Sequence, residues 1–176
     1  MTGLRCGHCL KTSPAFDTTF ALWPYAFPIS TLVHQFKYQH RLAVGRFFSD
    51  ALLAGPRPAG DVILPVPLSA EHLRERGFNQ ALELARLLSK HLGIPLDIDS
   101  LHRTGHRPAQ ASLPWKERHK NIRHAFECRA DFSGKTVILV DDVMTTGATL
   151  NEVASTLKKH GAAKVINWVV ARALKE

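Results

Sequence analysis

A chain of 176 residues, 45% apolar and 22% charged, has the size and balance of one globular domain with a proper core. No apolar run approaches the ~18 residues of a membrane span, and Met1-Thr2-Gly3-Leu4-Arg5-Cys6 is no signal peptide, so a cytoplasmic location is expected. The net charge of +8 with ten histidines points to an anionic partner, either a polyphosphate metabolite or nucleic acid.

Three cysteines cannot build a disulfide framework, and two of them form Cys6-Gly7-His8-Cys9, the spacing of half a zinc ribbon. A structural zinc needs four ligands, so Cys6 and Cys9 would hold Zn2+ only with a second half, which is expected upstream of this chain's start. Residues 12–28 read as an aromatic-rich extended stretch interrupted by Pro24 and Pro28. Ile29, Leu32, Val33 and Phe36 fall on one helical face. Leu42, Phe47, Ala51 and Leu52 predict a second helix that ends at Gly55. The basic cluster Lys37-Tyr38-Gln39-His40-Arg41 between them is read as easily as a solvated junction as a binding element.

Residues 55–60 form a Gly/Pro linker, followed by the short buried strand Val62-Ile63-Leu64-Pro65-Val66-Pro67. Leu82, Ala85, Leu88 and Leu92 predict an amphipathic helix capped by Asn79 and closed by Gly93. Arg74 and Arg76 precede that helix, where two guanidinium forks and free N–H groups suit an anion. Residues 95–101 are expected as a strand, with Leu96 and Ile98 alternating with Asp97 and Asp99. Residues 103–123 are basic and weakly periodic, including Arg103, Arg107, Arg118 and Arg123, and are expected to act as a lid over bound phosphates. Phe126 starts a return strand.

The most informative stretch follows. Val137-Ile138-Leu139-Val140 reads as a strand buried on both faces, ended by Asp141 and Asp142. Thr145, Thr146, Gly147, Ala148 and Thr149 then form a small-residue loop, and Thr149 with Glu152 predicts a capping box for the next helix. Unpaired N–H groups at a helix start make an anion site, and threonine hydroxyls add donors without bulk. The two carboxylates would repel that anion; they suit sugar hydroxyls, or a Mg2+ held partly through water. A ligand with a phosphate beside a diol satisfies both halves. Residues 165–171 supply a further buried strand.

Residues 137–149 resemble the phosphoribosyl pyrophosphate signature of type I phosphoribosyltransferases. More specifically, the chain resembles the ComF family (competence protein F and its GntX-like relatives). The residues that carry this are Cys6 and Cys9, His34-Gln35-Phe36-Lys37-Tyr38, Pro65-Val66-Pro67-Leu68, Arg74, Arg76-Gly77-Phe78-Asn79-Gln80, Gln110, Arg118, Asn121 and Ala125-Phe126. The resemblance implies an α/β fold, a parallel twisted sheet flanked by helices, with a small N-terminal hood. Residues 1–15 would then be the residual zinc knuckle, 16–55 the hood and 56–176 the phosphoribosyltransferase core. It implies that Asp141 and Asp142 hold the ribose hydroxyls, and that Thr145 through Thr149 wrap the 5-phosphate. The loop after Val66 would take pyrophosphate, and the 103–123 stretch would close over it. The family usually carries two Cys-x-x-Cys knuckles; this chain has one.

Two functions remain open on the sequence. One is a Mg2+-assisted phosphoribosyltransferase that uses phosphoribosyl pyrophosphate and a nucleobase or amine acceptor, with Arg74, Arg76, Arg103 and Arg118 on the leaving group. The other is a non-catalytic nucleotide sensor or single-stranded-DNA adaptor working with competence proteins in natural transformation.

Overall fold

The computed structural model describes residues 13–39, 41–104 and 125–174. Cys6, Cys9 and Arg118, and nearly all of the expected lid, lie outside the described residues.

The elements run β1 (Thr18–Pro24), α1 (Ile29–Tyr38), α2 (Leu42–Ala54), β2 (Val62–Pro65), α3 (Ala70–Arg76), α4 (Gln80–Leu92), β3 (Leu101–Arg103), β4 (Phe126–Cys128), β5 (Thr136–Met144), α5 (Ala148–Lys159) and β6 (Lys164–Arg172). Four of the strands form one parallel sheet in the order β1-β6-β5-β2. The central strands carry apolar runs, interrupted in β6 by the buried Asn167, because helices cover both faces. Val137, Ile138, Leu139 and Val140 of β5 are completely buried.

On one face, Val33 and Phe36 of α1, Phe48 and Leu52 of α2, and Leu84, Ala85 and Leu88 of α4 pack against Ile63, Ile138, Val140 and Trp168. On the other, Leu150, Val153, Ala154 and Leu157 of α5 meet Leu64, Val137, Leu139 and Val165. The antiparallel β3–β4 ribbon adds Leu101 and Phe126 to this second face. The parallel sheet flanked by helices is therefore as expected. Residues 16–55 supply an edge strand, β1, and two helices of the first face.

Several local expectations hold for stated reasons. Asn79 caps α4 by accepting from the Ala81 and Leu82 N–H groups, and Gly93 ends it with a φ of 67°. Helix α2 stops at Gly55. Others need correction. Residues 95–101 are not a strand: only Leu96 bridges to Ile63, because the Asp97 carboxylate accepts the Asp99 and Ser100 N–H groups and turns the chain. Regular pairing starts at Leu101.

The close approach of α1 and α2 depends on Gly45. A Cβ at that position would sit 2.8 Å from Cε2 and 2.9 Å from Cζ of the fully buried Phe36 ring. A Gly45→Val variant should lose about 2 kcal/mol of stability through overpacking, measurable as a lower urea midpoint at unchanged slope.

Candidate active site

Parallel sheets place ligand crevices at the carboxyl ends of strands, where successive connections leave for opposite faces. Here that point lies between β2 and β5, since α4 packs on one face and α5 on the other. Both chain segments that leave this crevice carry polar residues.

Strand β5 does not end at the acidic pair, as the apolar run had predicted. It continues through Met144, which pairs with Arg172. The pair distorts it locally: the Asp142 N–H turns onto Oδ1 of Asp141 at 2.9 Å. The side-chain alternation slips there, so Val143 packs with the same layer as Ile138 and Val140. The two carboxylates are thus held by sheet rather than by a loop.

Gly147, with a φ of 78°, makes the turn into α5 and is its N-cap. Such a conformation favours glycine. The expected capping box is absent, because this tight turn already places Thr149 inside the helix. The Ala148 N–H takes the Thr146 hydroxyl at 3.3 Å instead. Thr145 and Thr146, between β5 and α5, are exposed.

Behind β2, residues 70–76 form α3, which buries none of its residues and so gave no apolar periodicity. Ser69 caps it, accepting from the His72 N–H at 3.2 Å. Arg74 and Arg76 therefore occupy the last turn of a helix instead of a loop before one. Arg74 is exposed. Arg76 turns inward, donating to Oε1 of Gln80 at 3.2 Å with its guanidinium 5.4 Å from the centre of the Tyr38 ring.

The charges converge on the acids. Nζ of Lys37, from the end of α1, lies 2.9 Å from Oδ2 of Asp142, and the two side chains are only 19% and 7% exposed. Burial and then the adjacent Asp142 carboxylate push the Asp141 carboxyl up to about 7, against the opposing pull of Lys37 and Arg76. Burial works against the charge of Arg103, and Asp141 favours it. His72 is pushed down by burial and then by Arg76 and Arg103, so it is neutral near pH 7. Its Nδ1 lies 2.9 Å from the Ser69 hydroxyl.

Of the residues expected at the site, Asp141, Asp142, Arg76 and Arg103 come together beside the loop of Thr145, Thr146, Gly147, Ala148 and Thr149. Lys37 was read as part of a basic cluster and of the His34-Gln35-Phe36-Lys37-Tyr38 motif, with no role given to it at the site. One signal pointed to it: Lys37 stands four residues after Val33 and next to Phe36, on the rim of the buried stripe of α1. A cation in that place is aimed at the core. Among the described residues no group of three or more His, Cys, Asp or Glu side chains assembles a metal site. No helix among them is long and apolar enough to cross a membrane.

Residues 79–176 match the family model of the phosphoribosyl transferase domain. Competence protein F of Haemophilus influenzae is 36% identical over 180 residues, covering 96% of this chain and 79% of that protein. The chain belongs to the ComF family. The DNA utilization protein YhgH of Escherichia coli K12 is 35% identical over 179 residues, covering 97% of this chain and 79% of its own length. Among solved structures, the glutamine phosphoribosylpyrophosphate (PRPP) amidotransferase from B. subtilis superposes with a TM-score of 0.51 over 71% of this chain and 25% of that one. At 19% identity it shows the fold alone. This ComF-family chain therefore has the type I phosphoribosyltransferase architecture that its acidic strand and small-residue loop led us to expect.

Proposed function

We propose that the chain binds phosphoribosyl pyrophosphate with Mg2+ and transfers the ribose 5-phosphate group to a nitrogen nucleophile, a nucleobase or an amine. The observation that carries this reading is the ring of Lys37, Arg76 and Arg103 around the Asp141–Asp142 pair, next to the turn that opens α5. A ligand with a diol and two anionic ends engages acids, cations and a helix start together.

In this reading Asp141 and Asp142 accept hydrogen bonds from the ribose hydroxyls. The first-turn amides of α5, with Thr145, Thr146 and Thr149, take the 5-phosphate. Arg76 and Arg103 face the diphosphate. Cleavage of the bond between C1 and the diphosphate oxygen sends its electron pair to the leaving group, whose growing charge the arginines stabilise. The acids lie beside the sugar as positive charge builds on its ring. The acceptor nitrogen closes the new bond to C1 and gives up its proton. With no third His, Cys, Asp or Glu grouped with them among the described residues, Asp141 and Asp142 would be the groups that hold a Mg2+ accompanying the diphosphate. Such an ion would add charge neutralisation to the leaving group.

Calorimetric titration of the chain with phosphoribosyl pyrophosphate and Mg2+ tests binding, and pyrophosphate release across a panel of nucleobases and amines tests transfer. No heat of binding with either ligand or metal in excess removes the reading.

A second reading, a single-stranded-DNA adaptor, draws on a specific surface. Tyr25 and Phe27, just past β1, are 38% and 85% exposed, and exposed rings on a basic protein offer stacking for bases. The relatives' names refer to competence and DNA utilization. Salt-dependent retention of a single strand without pyrophosphate release from any acceptor favours this alternative.

A further inference from the structure

We infer that the last turn of α1 is a two-residue clamp, in which Lys37 positions Asp142 for the sugar and Tyr38 positions Arg76 for the diphosphate. This rests on the phosphoribosyl pyrophosphate reading of the site and adds residues and roles to it.

The geometry is unusual in that consecutive side chains of one helix engage opposite halves of the site. Lys37 reaches β5, where its ammonium is 2.9 Å from Oδ2 of Asp142. That oxygen is buried and, among the described residues, has this ion pair but no hydrogen bond. An almost buried carboxylate with a single ionic partner takes its orientation from that partner. Tyr38, the next residue, lays its ring under the Arg76 guanidinium at 5.4 Å. Gln80 holds one end of that guanidinium, and the buried Nε of Arg76 has no hydrogen-bond partner among the described residues, so the ring is the second described support that fixes its plane. His34 backs Tyr38 with a ring-to-ring distance of 4.8 Å. The helix itself cannot shift freely. Phe36, the residue before the clamp, is wedged between Phe48 and Phe78 at 6.2 and 5.6 Å, and Phe78 belongs to the turn between Arg76 and α4. One rigid helix end thereby sets the spacing between the acid that meets the ribose and the arginine that meets the leaving group. Both Lys37 and Tyr38 act through another residue and are positioning residues.

The clamp predicts ligand-selective losses, which general damage to the fold would not produce. Three probes separate the halves of the site: phosphoribosyl pyrophosphate with Mg2+, ribose 5-phosphate alone, and inorganic pyrophosphate with Mg2+. Lys37→Met should weaken ribose 5-phosphate about 10-fold or more and leave pyrophosphate within about 2-fold. Tyr38→Leu, at an exposed position, should do the reverse, weakening pyrophosphate about 5-fold and sparing ribose 5-phosphate. Because Lys37 acts through Asp142, adding Lys37→Met to Asp142→Asn should cost nothing further for ribose 5-phosphate. That double variant removes both members of the ion pair and so avoids stranding a buried charge. If Lys37→Met alone does not fold, the comparison of Asp142→Asn with the double variant, together with Tyr38→Leu, still decides. Equal losses on all three probes, or a full additional loss in the Asp142→Asn background, overturn the clamp. A parent chain that binds none of the probes removes the phosphoribosyl reading itself, and the clamp with it.

Discussion

An Asp141→Asn, Asp142→Asn double variant is expected to bind phosphoribosyl pyrophosphate at least ~100-fold more weakly than the parent chain in a calorimetric titration, with its secondary structure retained. Above about pH 7, where the Asp141 carboxyl is ionised, hydrogen bonds to an ionised acceptor contribute about 1.5–3 kcal/mol each, and a factor of 100 corresponds to about 2.7 kcal/mol, so losing two such acceptors suffices. Asparagine preserves shape, and it still accepts the Asp142 N–H bond that Asp141 makes within the strand. The loss should therefore arise from the site and not from the sheet. Unchanged affinity in this variant would place the sugar elsewhere and sink the assignment of both acids.

The second large effect concerns stability and pH. The Asp141 carboxyl is raised to about 7 in the folded chain, whereas an unfolded aspartate titrates near 3.9. Between these values the folded state keeps a proton that the unfolded state has released. Stability must then fall as pH climbs from about 4 to about 7, and level off above. Asp141→Asn removes this penalty. At pH 8 the variant should be more stable than the parent by on the order of 4 kcal/mol, or roughly 10 °C in melting temperature, while at pH 4 the two should coincide. A parent chain as stable relative to the variant at pH 8 as at pH 4 would show that the acid is ionised without cost. The same result has a functional side: a site that destabilises its own fold when empty is a common cost of prearranged charge.

How far the sequence revealed this arrangement depends on how local each signal was. The buried strand, the Asn79 cap and the Gly93 stop were legible, because residues adjacent in the chain carry them. The acidic pair was legible as chemistry but misplaced as structure. Nothing in Asp141-Asp142 reveals that β6 keeps pairing alongside them as far as Met144. Helix α3 was missed because a seven-residue helix with no buried residues leaves no apolar period to read. The ring of cations was only half legible. Arg76 and Arg103 were picked out for their charge, but Lys37 lies more than a hundred positions from Asp142, and only the packing of α1 on the sheet brings it there.

The strand order has a consequence for how the chain is made. β6, the strand latest in sequence, is inserted between β1, the earliest, and β5. Among the described strands β1 pairs with β6 alone, so during synthesis it waits for residues 164–172, about 150 positions later, with an open strand edge. Folding of this topology is therefore slow and vulnerable to edge-to-edge association, and a chain interrupted before β6 loses the partner of two strands at once. Ribosome-arrested chains should show this directly: those ending before residue 164 stay protease-sensitive throughout, and protection of β1 and β5 arrives together once β6 is free.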